Sequence, residues 1–225
     1  MAQPLIYNRC LKFILKNITM KKLLSILFIG CICAFTACNS GNKSNSVDSA
    51  QNINDSTLPD SNSMNNNDTS AMNSTMSSAP VSQEDADWAA KVANANMTEI
   101  ELSKVAQDKA TSDRLKNFAS MMVTDHTKAG DQLKQLAATK NITLPANLDS
   151  KSQKKLDDLN KEKTGKDFDK AYQNDMLDDH KDAVDVFQKG STNLKDADLK
   201  NFAGQTLATI RMHQDSIRAI AGKKY

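Results

Sequence analysis

Between Gln83 and Tyr225 the chain holds a single proline, Pro145. Proline removes a backbone donor and clashes with the preceding turn, so a stretch almost free of it can run as long helices. The apolar residues recur three and four apart, which selects helix over strand. Four segments carry such a stripe. The first reads Trp88, Val92, Ala95, Glu99, Leu102, Ala106, and the second Leu115, Ala119, Met122, His126, Ala129, Leu133, Leu136. The third reads Phe168, Tyr172, Met176, His180, Ala183, Phe187, and the fourth Leu199, Ala203, Thr206, Ile210, His213, Ile217, Ile220.

The connections set the expected topology. Thr111-Ser112-Asp113 separates the first two helices and Gly190-Ser191-Thr192-Asn193 the last two, so each pair should form an antiparallel hairpin. Asn141 to Thr164 joins the pairs and contains a short helical pattern, Ser152 to Asn160. A connection of that length can cross a bundle from end to end. The expectation is an all-α, ferritin-like four-helix bundle, two hairpins joined by a long crossover with a short helix. An echo supports two related hairpins: LKNFA occurs at Leu115 to Ala119 and again at Leu199 to Ala203.

The residues before this domain read differently. Met20-Lys21-Lys22 is a short basic segment, and Leu23 to Phe35 is an apolar run too short to span a bilayer. It ends in Phe35-Thr36-Ala37-Cys38, which resembles a bacterial lipobox. That resemblance implies cleavage before Cys38 and lipid attachment to it. Residues 1–37 are therefore expected to be a leader, with Met1 to Thr19 an upstream extension or start-site artefact. Residues 38–81 are expected to be a lipidated cysteine and an unfolded Ser- and Asn-rich tether, which has too few large apolar residues to form a core. Residues 82–225 are the helical domain. The implied location is the outer membrane, facing the periplasm, with the lipid anchor as the membrane contact.

All four cysteines lie at or before Cys38, so the domain has no thiolate chemistry. The net charge of +2 arises in the leader, and no basic face suits nucleic acid. There is no glycine-rich phosphate loop, no nucleophile elbow and no H-E-x-x-H motif, so nothing marks the chain as an enzyme.

The histidines carry the remaining chemistry. MVTDH at Met122 to His126 is echoed by MLDDH at Met176 to His180. All three histidines, His126, His180 and His213, fall on the apolar stripe of their helix, as does Glu99. Each stands about 14 to 17 residues into its helix, which at 1.5 Å per residue places all four in a layer less than about 10 Å thick. Three imidazoles and a carboxylate suit a single zinc, copper, nickel or iron ion. Asp125, Asp179 and Asp215 would support the ligands, and Met122 and Met176, one turn from two of the histidines, would favour copper. The competing expectation is a structural layer in which the imidazoles are hydrogen-bonded to Glu99 and neighbouring acids. A di-iron centre needs Glu-x-x-His on two helices, and Val123, Leu177 and Ile210 stand three residues before the histidines instead.

Glu99 with Glu101, Asp125-His126-Thr127, Phe168-Asp169 with Tyr172, His180 and His213 together resemble the bacterial domain of unknown function 4142. The likeness runs from about Asp85 to Ala221 and departs at Ala208, where that family has proline. It implies a secreted, ferritin-like helical domain and assigns no activity. The expected role is structural or binding, in envelope stress, with mononuclear metal storage, buffering or sensing through Glu99 and the three histidines as the alternative, and a metal-dependent redox enzyme behind that.

Overall fold

The computed structural model describes residues 46–58 and 81–222, all within the second of two separable units, 43–225. The leader, Cys38 and residues 59–80 lie outside the described residues. Among the described residues six α-helices follow in order: α1 (Ser46–Thr57), α2 (Gln83–Lys109), α3 (Asp113–Thr139), α4 (Ser150–Lys161), α5 (Lys166–Asn193) and α6 (Ala197–Ile220). None of them is long and apolar enough to cross a membrane.

Side-chain caps set three of the starts, because a helix leaves its first N–H groups unpaired. Ser82 Oγ accepts the Asp85 N–H, Asp149 accepts the Ser152 N–H, and Asp196 accepts those of Asp198 and Leu199. α3 stops where Asn141 takes a left-handed conformation (φ 55°) and the Ile142 N–H returns to the Ala137 carbonyl. Asparagine tolerates that conformation better than most residues.

The fold is all-α. α2 packs along α3 and α5 along α6 as two hairpins; α3 meets α6, and α2 meets α5. The crossover helix α4 rests on α2 and α5. α6 runs without a break past Ala208.

The two hairpins hold each other by matching clamps. Asp85, in the first turn of α2, accepts the N–H groups of Lys195 and Asp196 in the α5–α6 turn. Asp169, in the first turn of α5, accepts those of Thr111 and Ser112 in the α2–α3 turn, plus the Thr111 hydroxyl. Asp85 and Asp169, the two pairs of clamped residues, and the two LKNFA segments are all 84 residues apart. The short echo in sequence thus belongs to a structural repeat of one hairpin by the other.

Two expectations change. The segment expected to be an unfolded tether contains α1, packed on α2. Val47, Ala50 and Asn54 form its buried stripe. Asn54 donates to the Thr143 carbonyl at 3.1 Å and accepts the Thr143 N–H at 2.7 Å, and Ser46 Oγ donates to the Asn147 carbonyl. Hydrogen bonding and two small apolar contacts dock this helix, so its low apolar content misled. The turn expected at Gly190 to Asn193 is helical; the chain turns at Leu194 to Asp196. Gly190 is a packing residue: a Cβ there would come within 3.0 Å of the Trp88 indole.

The core has two apolar halves. One holds Val92, Leu133, Phe187, Phe202 and Ile210, with Trp88 set edge-on to Phe187 at 5.5 Å. The other holds Leu102, Met122, Phe168, Tyr172, Met176 and Ile217. Along α3, α5 and α6 the boundary between the halves falls at one buried polar residue, His126, His180 or His213; along α2 it falls at Asn94, Thr98 and Glu99.

Replacing Asp169 with alanine should strand two backbone donors and a hydroxyl, at about 1–3 kcal/mol for each group left buried and unpaired. Urea denaturation of Asp169→Ala should show a loss of about 3 kcal/mol, and Asp169→Asn a smaller one. A loss below about 1 kcal/mol in the alanine variant would contradict the clamp.

Candidate metal centre

Each of the four long helices sends one polar side chain into the boundary layer. They are 5 % (Glu99), 8 % (His126), 0 % (His180) and 1 % (His213) exposed. The imidazole centroids lie 5.3 Å (His126–His213), 5.5 Å (His180–His213) and 6.1 Å (His126–His180) apart. Phe118 closes the layer on one side, edge-on to His180 and His213 at 6.3 and 6.4 Å.

The outer ring nitrogens are all engaged. His180 Nδ1 stands 2.9 Å from the Met176 carbonyl. A carbonyl only accepts, so Nδ1 carries the proton and Nε2 a lone pair. His213 Nε2 donates in the same way to Asp125 Oδ2 at 2.9 Å, and His126 Nδ1 to Asn96 Oδ1 at 3.0 Å. The inner nitrogens, His126 Nε2, His180 Nε2 and His213 Nδ1, are buried without a hydrogen-bond partner. Ligand nitrogens of the three rings lie within 4.8 Å of one another. Around a tetrahedral ion bound at 2.0–2.1 Å they would be about 3.3 Å apart, so closure needs each ring to move by less than about 1 Å.

Glu99 is beside this group but outside it. Its Oε2 lies 3.0 Å from His126 Nε2, without hydrogen-bond geometry, and its Oε1 lies 3.8 Å from His180 Nδ1. With the His126 proton held on Nδ1, the short approach sets a carboxylate oxygen against a nitrogen lone pair. Two acceptors at that distance repel unless a proton or a metal ion lies between them.

Of the acids expected to support the histidines, Asp125 does so. Asp179 pairs with Lys155 of α4, and Asp215 is exposed. Met122 and Met176 pack in the apolar half below the layer. The partner of His126 is Asn96, which the sequence reading did not single out. Asn96 stands one turn before Glu99, and Gly130 makes room for it: a Cβ at Gly130 would lie 2.7 Å from Asn96 Nδ2. The i, i+3 spacing of Asn96 and Glu99 was the available signal.

On the side away from Phe118 a cavity of about 360 Å³ reaches the layer. Glu99, His126 and His213 contribute to its wall, together with apolar residues including Leu133, Phe187 and Phe202.

The family model described as "Domain of unknown function (DUF4142)" matches residues 70–220. The chain belongs to the DUF4142 family. The DUF4142 fold is also similar to a crystal structure of a DUF305 fragment from Deinococcus radiodurans. That likeness has a TM-score of 0.57 at 10% identity, over 64% of this chain and 98% of the fragment. No curated protein matches the chain.

In this DUF4142 domain the imidazoles of His126 and His213 are held neutral. Burial lowers His126 to about 3, helped by the neighbouring His180 and opposed by Asp125. Burial also lowers His213 to about 4, against the Asp125 hydrogen bond, with His126 and His180 adding to the fall. Unfolded histidines take up protons near 6.5, well before these two do. Below that pH the unfolded chain binds more protons, so stability falls on acidification and the loss from these groups is complete near pH 3. Metal-free protein should therefore melt at a lower temperature at pH 5 than at pH 7, and His126→Leu should shrink the difference. An equal pH response in wild type and variant would contradict the neutral assignment.

Proposed function

We propose that this chain is a mononuclear transition-metal-binding protein, tethered to the cell envelope by a lipid on Cys38, whose ferritin-like bundle stores, buffers or senses the ion. The observation that carries the reading is three buried histidines, each with one unpaired ring nitrogen, whose ligand nitrogens come within 4.8 Å of one another. A metal-ligating histidine typically donates its other N–H to a carboxylate, a carbonyl or water. Asp125 and the Met176 carbonyl fill that role for His213 and His180, and the Asn96 amide oxygen fills it for His126. Three imidazoles with a carboxylate beside them suit zinc, copper, nickel or iron.

A purely structural layer fits less well. It would pair each imidazole with its neighbours, whereas an unpaired buried polar atom costs about 1–3 kcal/mol and three are present. One ion relieves all three together.

The chain, purified without chelators or a histidine tag, should hold about one equivalent of metal by elemental analysis. Its melting temperature should rise on adding that metal, by a stabilisation of about 2.7 kcal/mol at 100 times the dissociation constant. His126→Ala should neither hold the metal nor respond to it. Failure of the wild type to retain zinc, copper, nickel or iron would overturn the reading.

The envelope location rests on the leader and on Phe35-Thr36-Ala37-Cys38. Cys38→Ser should move the protein from the membrane fraction to the soluble periplasmic fraction. Unchanged membrane association would remove the lipid anchor from the account.

A further inference from the structure

Three histidines supply three donors, and a tetrahedral ion has a fourth position. The cavity of about 360 Å³ lies against the same layer, with Glu99, His126 and His213 in its wall. Its volume falls in the range of pockets that hold small molecules, about 300–1,000 Å³. A small occupant would gain contacts with the apolar part of this lining that water does not supply.

The lining selects the occupant's chemistry. Away from the histidines the wall includes an apolar and aromatic part, formed by Val92, Leu133, Phe187, Phe202 and Ile210. The polar end carries an excess of acid. The wall holds five acids, Glu99, Asp125 and Asp179 among them, against three lysines, of which Lys155 is already paired with Asp179. An anionic ligand would meet these carboxylates at close range. Glu99 lies 3.0 Å from His126 Nε2 yet falls outside the three-histidine group. It is therefore placed beside the fourth position as an acceptor, and what it lacks is a donor. A neutral hydroxyl meets both demands, because its oxygen has a lone pair for the ion and its hydrogen can be donated to the carboxylate.

We propose that the three-histidine site keeps its fourth position for an external ligand from this cavity, and that the ligand is a small alcohol or phenol whose oxygen meets the ion while Glu99 accepts its hydrogen bond. This rests on the metal-binding reading above. Glu99 then acts as the residue that selects a protic ligand over an anionic one of the same shape.

Cobalt(II) supplies the test, because its visible absorption reports its ligands. The purified chain is loaded with cobalt, then titrated with phenol and, separately, with benzoate. Phenol should change the cobalt spectrum saturably, and benzoate at the same concentrations should not. At cobalt saturation, Glu99→Gln should weaken phenol binding at least tenfold. Ala183→Leu, which adds bulk to the cavity wall, should abolish the phenol response. Circular dichroism of each variant confirms its helices before titration.

A spectrum indifferent to phenol, or benzoate binding as well as phenol, would overturn the proposal while leaving the metal site intact. Loss of cobalt loading in a folded Glu99→Gln would also overturn it, by making Glu99 the fourth ligand. A wild-type chain that takes up no cobalt under any condition would instead strike at the metal reading itself, and the ligand proposal with it.

Discussion

The structure turns on a layer of buried lone pairs. Three imidazoles face one another between two apolar half-cores, and each spends its single proton on a partner outside the group. Burial keeps His126 and His213 neutral, so at neutral pH neither can repair the layer by taking a second proton. An apolar layer in the same place would be easier to pack and would need no supporting hydrogen bonds. Asp125, Asn96 and the Met176 carbonyl instead orient the rings so that the free nitrogens meet.

Bringing one residue from each of four helices to one level requires the helices to hold a fixed register. The paired aspartates supply it. Asp85 and Asp169 each tie the start of one hairpin to the turn of the other, at the same offset in sequence. The two clamps fix the hairpins along the bundle axis from opposite ends. The repeat is a repeat of scaffold and does not extend to the histidines. At the 84-residue offset His180 corresponds to Asn96, and His126 to Ile210. The centre has grown from side chains that differ between two similar hairpins.

Much of this was legible in the sequence, for a definite reason. An amphipathic stripe reveals which face of a helix is buried, and counting along it gives height in the bundle. Those two facts sufficed to place Glu99, His126, His180 and His213 together. They could not say that Glu99 would stand beside the histidine group, because that depends on side-chain rotamers. Asn96 was hidden by its type, since a polar residue near the edge of a stripe looks like solvent-facing surface. α1 was hidden for a related reason. Its key contact, Asn54, docks through two hydrogen bonds to the Thr143 backbone, which no count of apolar residues registers. Gly190 looked like a turn and is a space left for Trp88.

The most direct measurement is a crystal structure of the metal-loaded protein with anomalous diffraction recorded at the metal's absorption edge. The account requires one peak in the polar layer, about 2.0–2.1 Å from His126 Nε2, His180 Nε2 and His213 Nδ1. The use of Nδ1 by His213 and Nε2 by the other two is part of the requirement, because Asp125 holds the opposite nitrogen of His213. A layer without a peak, its inner nitrogens hydrogen-bonded to ordered water or to Glu99, would contradict it.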